Sequence, residues 1–368
     1  MKKISIYLMA ASFIIMLISF IGSKGEMIEN MEIPLGVGAD IEKTDSFVEY
    51  KIPLLVYTSD QSNKMTGGIF TGTGRTIGKT REERQLKSGK RFILGLNRVF
   101  IFSEGNAKHG LRNLIDANLN NPDVNDRSMC VVCKGKAEDI LKYKVQGYPS
   151  SPEYIWGMVK NLNQFNFFSS QYTFTDMVVR IDAEGRNLLL PYIEITDDGI
   201  KTTGLAVFKK DKMVAKTNIK EARVINILKE NNVKGIFTIQ RNPAKYTDLY
   251  VDSKRKIKCS REDDRYKFEI TLNLRGRVTN NELYEGLSKD PKALKAYEDD
   301  VKESVEKQCN EIINKVKNEY KVDVLDLGRV AAAKFGRGKG TDWDEEISNS
   351  EIIVKAKVKV DTEGRGNY

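Results

Sequence analysis

Two stretches in the last third of the chain alternate so strictly that they admit one backbone. In RYKFEITLNLRGRV, residues 265–278, Tyr266, Phe268, Ile270, Leu272 and Leu274 share one parity, while Lys267, Glu269, Thr271, Asn273 and Arg275 share the other. EIIVKAKVKV, residues 351–360, repeats the pattern with Ile352, Val354, Ala356, Val358 and Val360 against Lys355, Lys357 and Lys359. Successive side chains of a strand point to opposite faces, so each stretch is a strand with one dry face and one wet face. Such strands belong to a mostly antiparallel sheet. The lysine side reads as a solvated edge rather than a binding patch. Between the two the period changes. Asp290 and Pro291 supply an N-cap and a first-turn proline, and Leu294, Tyr297, Val301, Val305, Ile312, Ile313, Val316 and Tyr320 follow at helical spacing. A shorter helix is expected over LGRVAAAKF, residues 327–335. Strand, long helix and strand on one sheet give an α+β C-terminal region.

Upstream, GLAVF and MVAKT are short strands joined by Lys209–Lys212, and Asn218 with Glu221 begins a helix as a capping box. The N-terminal half mixes strands (VEYKIPLLVYT, RFILGLNRVFIFSE, SMCVVCKG) with helices (NAKHGLRNLIDANL, KAEDILKY). Residues 60–90 are polar and glycine-rich and read as long loops with one short helix. The fold class is therefore α+β and multidomain, with mixed and antiparallel sheets, packed helices and an N-terminal signal or anchor helix. The expected division is 1–25, 26–195 and 196–368, the last open to a further split near 262.

The chain begins with Lys2 and Lys3, followed by an uncharged run from Ile4 to Ser23. That layout suits an export signal or a membrane anchor, with the lysines inside and everything after Lys24 outside. Ser23 and Gly25 offer a weak small-x-small cleavage site, so retention as an anchor and cleavage after Gly25 both stay open. Of the 368 residues, 60 are Lys or Arg and 51 Asp or Glu, a net charge of +9 spread without a dense basic block. No nucleic-acid motif accompanies it.

The residues that could carry chemistry have plainer readings. GTGRTIGKT, Gly72–Thr80, ends like a phosphate-binding loop at Gly78, Lys79 and Thr80, but Thr73 stands where that loop needs its first glycine. No strand is expected to run into it, and the REERQL that follows is too charged for a buried helix. GVGADIEK, Gly36–Lys43, lacks a third glycine and suits a strand or turn needing small residues. The single histidine, His109, has no second ligand in view. Cys130 and Cys133 lie three apart on a strand, facing opposite ways with Cα atoms about 10 Å apart, too far for a disulfide. No catalytic, cofactor-binding or metal-binding residue is assigned and no cofactor is expected; the chain reads as a non-enzyme.

In order, PLGVGADIEK, GKRFILGLNRVFIFSEGNAKHGLRNLIDANLN, CVVCKGKAEDIL and TTGLAVFKKDKMVAKTNIKEARVINIL resemble segments of the Ger(x)C family of spore germination proteins, GerAC-like C subunits of germinant receptors. The long helix, YKVDVLDLGR, TDWDEE and the last strand complete the resemblance. It implies a sporulation protein at the outer face of the inner spore membrane, acting with integral-membrane A and B subunits in the response to nutrient germinants. It also implies several mixed α/β domains without enzymatic activity, in which surfaces couple the signal. Direct contact with the germinant is left open. Family signals end in a small residue and Cys; here Gly22-Ser23-Lys24 occupies that place. A serine hydroxyl cannot form the thioether to diacylglycerol, so the lipid is not expected, and only Trp343 remains of the C-terminal tryptophans. The competing reading, a membrane-anchored extracytoplasmic solute-binding protein, requires saturable binding of a small solute.

Overall fold

The computed structural model describes residues 2–20, 31–44, 47–59, 65–263 and 265–361. Helix α1 (Lys2–Phe20) carries the apolar N-terminal run, and among its large side chains Ile6, Tyr7, Met9 and those from Phe13 to Ile18 are exposed. Among the described residues no helix is long and apolar enough to cross a membrane. Ser23, the Gly25 cleavage site and the rest of 21–30 lie outside the described residues.

Three antiparallel strands follow: β1 (Met31–Lys43), β2 (Val48–Ser59) and β3 (Met65–Gly74). Strand β3 falls where long loops were expected. TGGIFTGTG carries too few large apolar residues to show an alternation, and its partner β2 supplies the order. Helix α2 (Ile77–Gln85) leads to the two-residue β4 (Arg91–Phe92) and then β5 (Val99–Ser103). The single helix expected over 106–119 is two, α3 (Glu104–His109) and α4 (Arg112–Leu119), broken at Gly110, whose φ is +127°.

Strand β6 (Met129–Cys133), helices α5 (Ala137–Lys142), α6 (Ser151–Asn161) and α7 (Phe174–Ile181), then strands β7 (Leu189–Thr196), β8 (Gly199–Lys209) and β9 (Lys212–Lys216) complete the larger sheet. Its order is β3-β2-β1-β5-β6-β7-β8-β9. The central strands β1, β5, β6 and β7 run parallel, and the outer ones antiparallel. VFIF, residues 99–102, and MCVVC are apolar throughout because both faces of a parallel strand are covered. Val99, Ile101, Val131 and Cys133 enter one core, while Phe100, Phe102, Cys130 and Val132 enter the other. The hairpin of β8 and β9 extends this sheet beside β7, not the sheet that follows.

Helix α8 (Ile219–Lys229) makes the transition. Asn218 Oδ1 accepts from the Glu221 N–H at 3.0 Å, and Glu221 Oε2 accepts from the Asn218 N–H at 2.9 Å, the expected reciprocal cap. The second sheet holds β10 (Val233–Asn242), β11 (Lys245–Glu262), β12 (Arg265–Asn281) and, parallel to β12, β13 (Glu351–Val360). Between β12 and β13 lie α9 (Pro291–Lys315), α10 (Leu327–Phe335) and α11 (Trp343–Asn349). Helix α9 starts at the predicted Asp290 cap and buries Tyr297, Val301, Val305, Cys309, Ile312 and Ile313. It also blunts the exposed edge of β13: Glu306 and Glu298 accept the N–H groups of Ala356 and Val360 at 2.8 and 2.9 Å. One hydrophobic core runs from Val99 and Ile101 through Ile225 and Leu228 to Leu272 and Val354, so both sheets share an interior.

Candidate functional site

The positions singled out in the sequence have packing roles in the fold. A strand does run into GTGRTIGKT: β3 ends at Gly74 and α2 begins at Ile77. Two of its glycines, Gly72 and Gly74, seat the helix on the strand. A Cβ on Gly72 would overlap the Thr80 carbonyl, and one on Gly74 would lie 2.7 Å from the Lys79 Cβ. Lys79 itself is exposed and pairs with Glu82 at 2.5 Å. In β1, a Cβ on Gly36 would stand 2.5 Å from Pro152 Cγ, and one on Gly38 2.7 Å from Pro53 Cγ, which accounts for both glycines. His109 ends α3 edge-on to Tyr50, with ring centroids 6.3 Å apart. Burial first, then Lys43 and Lys212, holds its pKa below the usual imidazole range. Cys130 and Cys133 are free thiols on opposite faces of β6, and burial pushes both well up, so they stay protonated. Among the described residues no group of three or more His, Cys, Asp or Glu is placed to hold a metal ion.

What periodicity did not bring forward is a buried charge cluster where the two sheets meet. Lys229, the last residue of α8, lies on its core-facing stripe after Ala222 and Ile225, and its Nζ is 2.9 Å from Asp326 Oδ1. Arg180, from α7, reaches Asp326 Oδ2 at 3.2 Å and Glu230 at 3.4 Å. Arg255, from β11, donates to the carbonyls of Leu228 at 2.6 Å and Leu325 at 3.1 Å. Burial lowers the pKa of both Lys229 and Arg255, while the facing Asp326 raises it again.

Asp326 occupies a left-handed turn, φ +56°, a conformation that short polar side chains tolerate. Three residues earlier, the carboxylate of Asp323 accepts the N–H groups of Leu325, Leu327 and Gly328, at 3.1, 3.1 and 2.7 Å. It thereby ties off the start of α10. The lysine was visible in the sequence as a charge on an apolar helix stripe. The turn that delivers Asp326 had no comparable signal.

A second layer of contacts closes the same joint. The Gly185 carbonyl accepts the Arg329 N–H at 2.9 Å, and a Cβ on Gly185 would overlap the backbone of Gly328 and Arg329. Gly328 in turn lies under Trp343: a Cβ there would be 2.6 Å from the Trp343 Cβ. Glu184 accepts from Trp343 Nε1 at 3.2 Å and from the Gly338 N–H at 3.0 Å. Asn187 donates to Asp344 at 2.7 Å, and Asp344 pairs with Lys209 at 3.3 Å.

Outside these contacts runs an open polar groove of about 640 Å³, with Arg112, Asp182, Lys209, Asp342 and Trp343 in its wall. Arg112 and Asp182 form a two-point ion pair across it. Every residue of the buried cluster is partnered by another from a different element. The arrangement fixes one half of the chain to the other.

The comparisons with known proteins follow this two-part build. The family model described as "Spore germination protein N-terminal domain" matches residues 24–195, and "Spore germination B3/ GerAC like, C-terminal" matches residues 203–364. The chain is 23% identical over 300 residues to spore germination protein GerQC of Bacillus cereus, covering 80% of this chain and 82% of the relative. It is 21% identical over 344 residues to spore germination protein A3 of Bacillus subtilis (strain 168), covering 91% and 92%. The crystal structure of the GerBC protein superposes with a TM-score of 0.58 at 16% identity, over 88% of this chain and 97% of that one, so the two share a fold. Matched from residue 24 to residue 364 with one short gap, the chain belongs to the GerAC-like Ger(x)C family of spore germination proteins.

Proposed function

We propose that the protein is the non-enzymatic C subunit of a spore germinant receptor, working on the extracytoplasmic side with integral-membrane A and B subunits. The observation that carries this reading is the length of the match: relatives named as spore germination proteins align over 80–91% of the chain. The joint supports it. A protein that transmits a signal through surfaces needs its halves held in a defined relation, and the cluster around Asp326 supplies that relation. Membrane proximity is supported by the exposed apolar side chains of α1 where that segment is retained. Two domains, with the chain outside the membrane from about residue 26, remain part of this proposal.

Deletion of the gene in a spore former, followed by nutrient-triggered germination, tests it. The expected result is a slowed response to one germinant class, restored by complementation, with A- and B-type subunits recovered on affinity purification of the tagged chain from spore membranes. Normal germination with every nutrient and no such subunits in the eluate would reject the proposal.

A further inference from the structure

Register, which neither strand shows alone, gathers the lysines of two strands on one face of the second sheet. Lys256, Thr271 and Lys355 stand side by side across β11, β12 and β13. The next row is Lys254, Asn273 and Lys357; the rows beyond are Asp252, Arg275 and Lys359 on one side and Lys258, Glu269 and Ile353 on the other. Paired residues share a face, so seven cations project from one exposed surface against two carboxylates. Neighbouring rows are about 7 Å apart, and β11 and β13 are about 10 Å apart across β12. Lys254, Lys256, Lys258, Lys355, Lys357 and Lys359 are all exposed. Lys355 pairs with Glu269 at 3.0 Å and Arg275 with Asp361 at 2.9 Å. Among the described residues Lys254, Lys256, Lys258, Lys357 and Lys359 have no carboxylate within ion-pair distance.

We infer that this face docks on an anionic lipid surface. Its chemistry favours lipid over an acidic protein. Protein interfaces are depleted of lysine and anchored by aromatic side chains and arginine, and the four rows hold no aromatic residue and a single arginine. Lysine is a hydrated point charge on a flexible stem, without the fork that fixes a particular carboxylate. An array of such charges recognises charge density more than shape, as suits headgroups that move laterally. The inference rests on the membrane placement proposed above but not on the germinant response.

The test is co-sedimentation of the full chain with vesicles of phosphatidylcholine alone or with 30% phosphatidylglycerol, at low and high salt. The phosphatidylcholine arm measures any contribution of α1. The expected result is extra binding to the anionic vesicles that falls as salt rises. Each Lys→Gln change at 254, 256, 355 or 357 should weaken it roughly fivefold, and all four together should abolish it. Replacing the same four by Arg should preserve it, as should Lys→Gln at the exposed α9 positions Lys292, Lys302 and Lys307. The fourfold Arg variant guards against misfolding as the cause of loss, and a melting curve checks the Gln variant.

Wild-type binding by the fourfold Gln variant overturns the inference. So does wild-type vesicle binding combined with loss of co-purifying subunits, which would assign the face to an acidic protein. Neither outcome bears on the deletion phenotype and subunit recovery of the wild-type chain, by which the proposed function is tested.

Discussion

Lys229 Nζ and Asp326 Oδ1 meet at 2.9 Å with both side chains almost wholly out of solvent, one from the end of α8 and the other from the turn before α10. Asp326 also receives Arg180, so a single carboxylate answers two buried cations. Removing one partner of a buried pair strands the charge left behind, which costs about 3–5 kcal/mol. Asp326→Asn keeps the left-handed turn but leaves Lys229 without a carboxylate and Arg180 with Glu230 alone, and should lose stability within that range. Lys229→Met leaves Asp326 still paired with Arg180 and should cost less. Urea unfolding of both variants checks the order; equal losses, or losses below about 1 kcal/mol, would show the cluster to be solvated.

Gly185 is the tightest point of the same joint. Its φ of +67° disfavours any side chain, and the space a Cβ would need is filled by the Gly328–Arg329 peptide. Gly185→Ala should therefore cost about 2–4 kcal/mol, the left-handed strain and the overpacking acting together. Gly147 gives the control: its φ is +79°, but nothing lies within 4 Å of its Cβ position. Gly147→Ala should cost only the backbone strain, about 1 kcal/mol. Thermal melts of the two variants should differ by several degrees, and similar melts would mean that the joint yields.

The contrast between these sites and the strands shows what one sequence reveals. Residues 265–275 and 351–360, the Asp290 cap and the Asn218–Glu221 capping box were legible because each rests on side chains within a few residues of one another. Strand β3 was not, since its glycine-rich sequence takes its order from β2. The parallel run β1-β5-β6-β7 was hidden for the same reason, its partners being tens of residues apart. The alternation of Lys355, Lys357 and Lys359 was plain, but their alignment with Lys254 and Lys256 depends on β12 lying between. Of the joint, only Lys229 left a trace, as a charge on an apolar stripe.

Lys79 tests the reading of GTGRTIGKT as packing. Its ammonium pairs with Glu82 in solvent, and an exposed pair of this kind contributes little. Lys79→Ala should leave stability within about 0.5 kcal/mol and the germination response unchanged. Gly72→Ala should instead destabilise the chain by about 1–3 kcal/mol, because the Thr80 carbonyl occupies the space. A germination defect in a well-folded Lys79→Ala strain would return phosphate binding to consideration.

Asp323 gives the joint a pH dependence of unusual sign. Burial first, and then the neighbouring Asp326 carboxylate, raise its pKa to about 7, although the N–H groups of Gly328 and Leu327 and the Lys229 charge pull the other way. The unfolded chain should titrate this group near 3.9. Between these values the folded protein holds a proton that the unfolded chain has released. Stability from this group is therefore complete below about pH 4 and is lost as the pH rises through 7. Asp323→Asn cannot titrate, and its amide nitrogen cannot accept the Gly328 N–H, so the variant should be weaker at every pH. The stability gap between wild type and variant should narrow from pH 5 to pH 8 in urea unfolding. A gap that stays constant or widens would mean that the donors around Asp323 outweigh its burial and hold it ionised throughout.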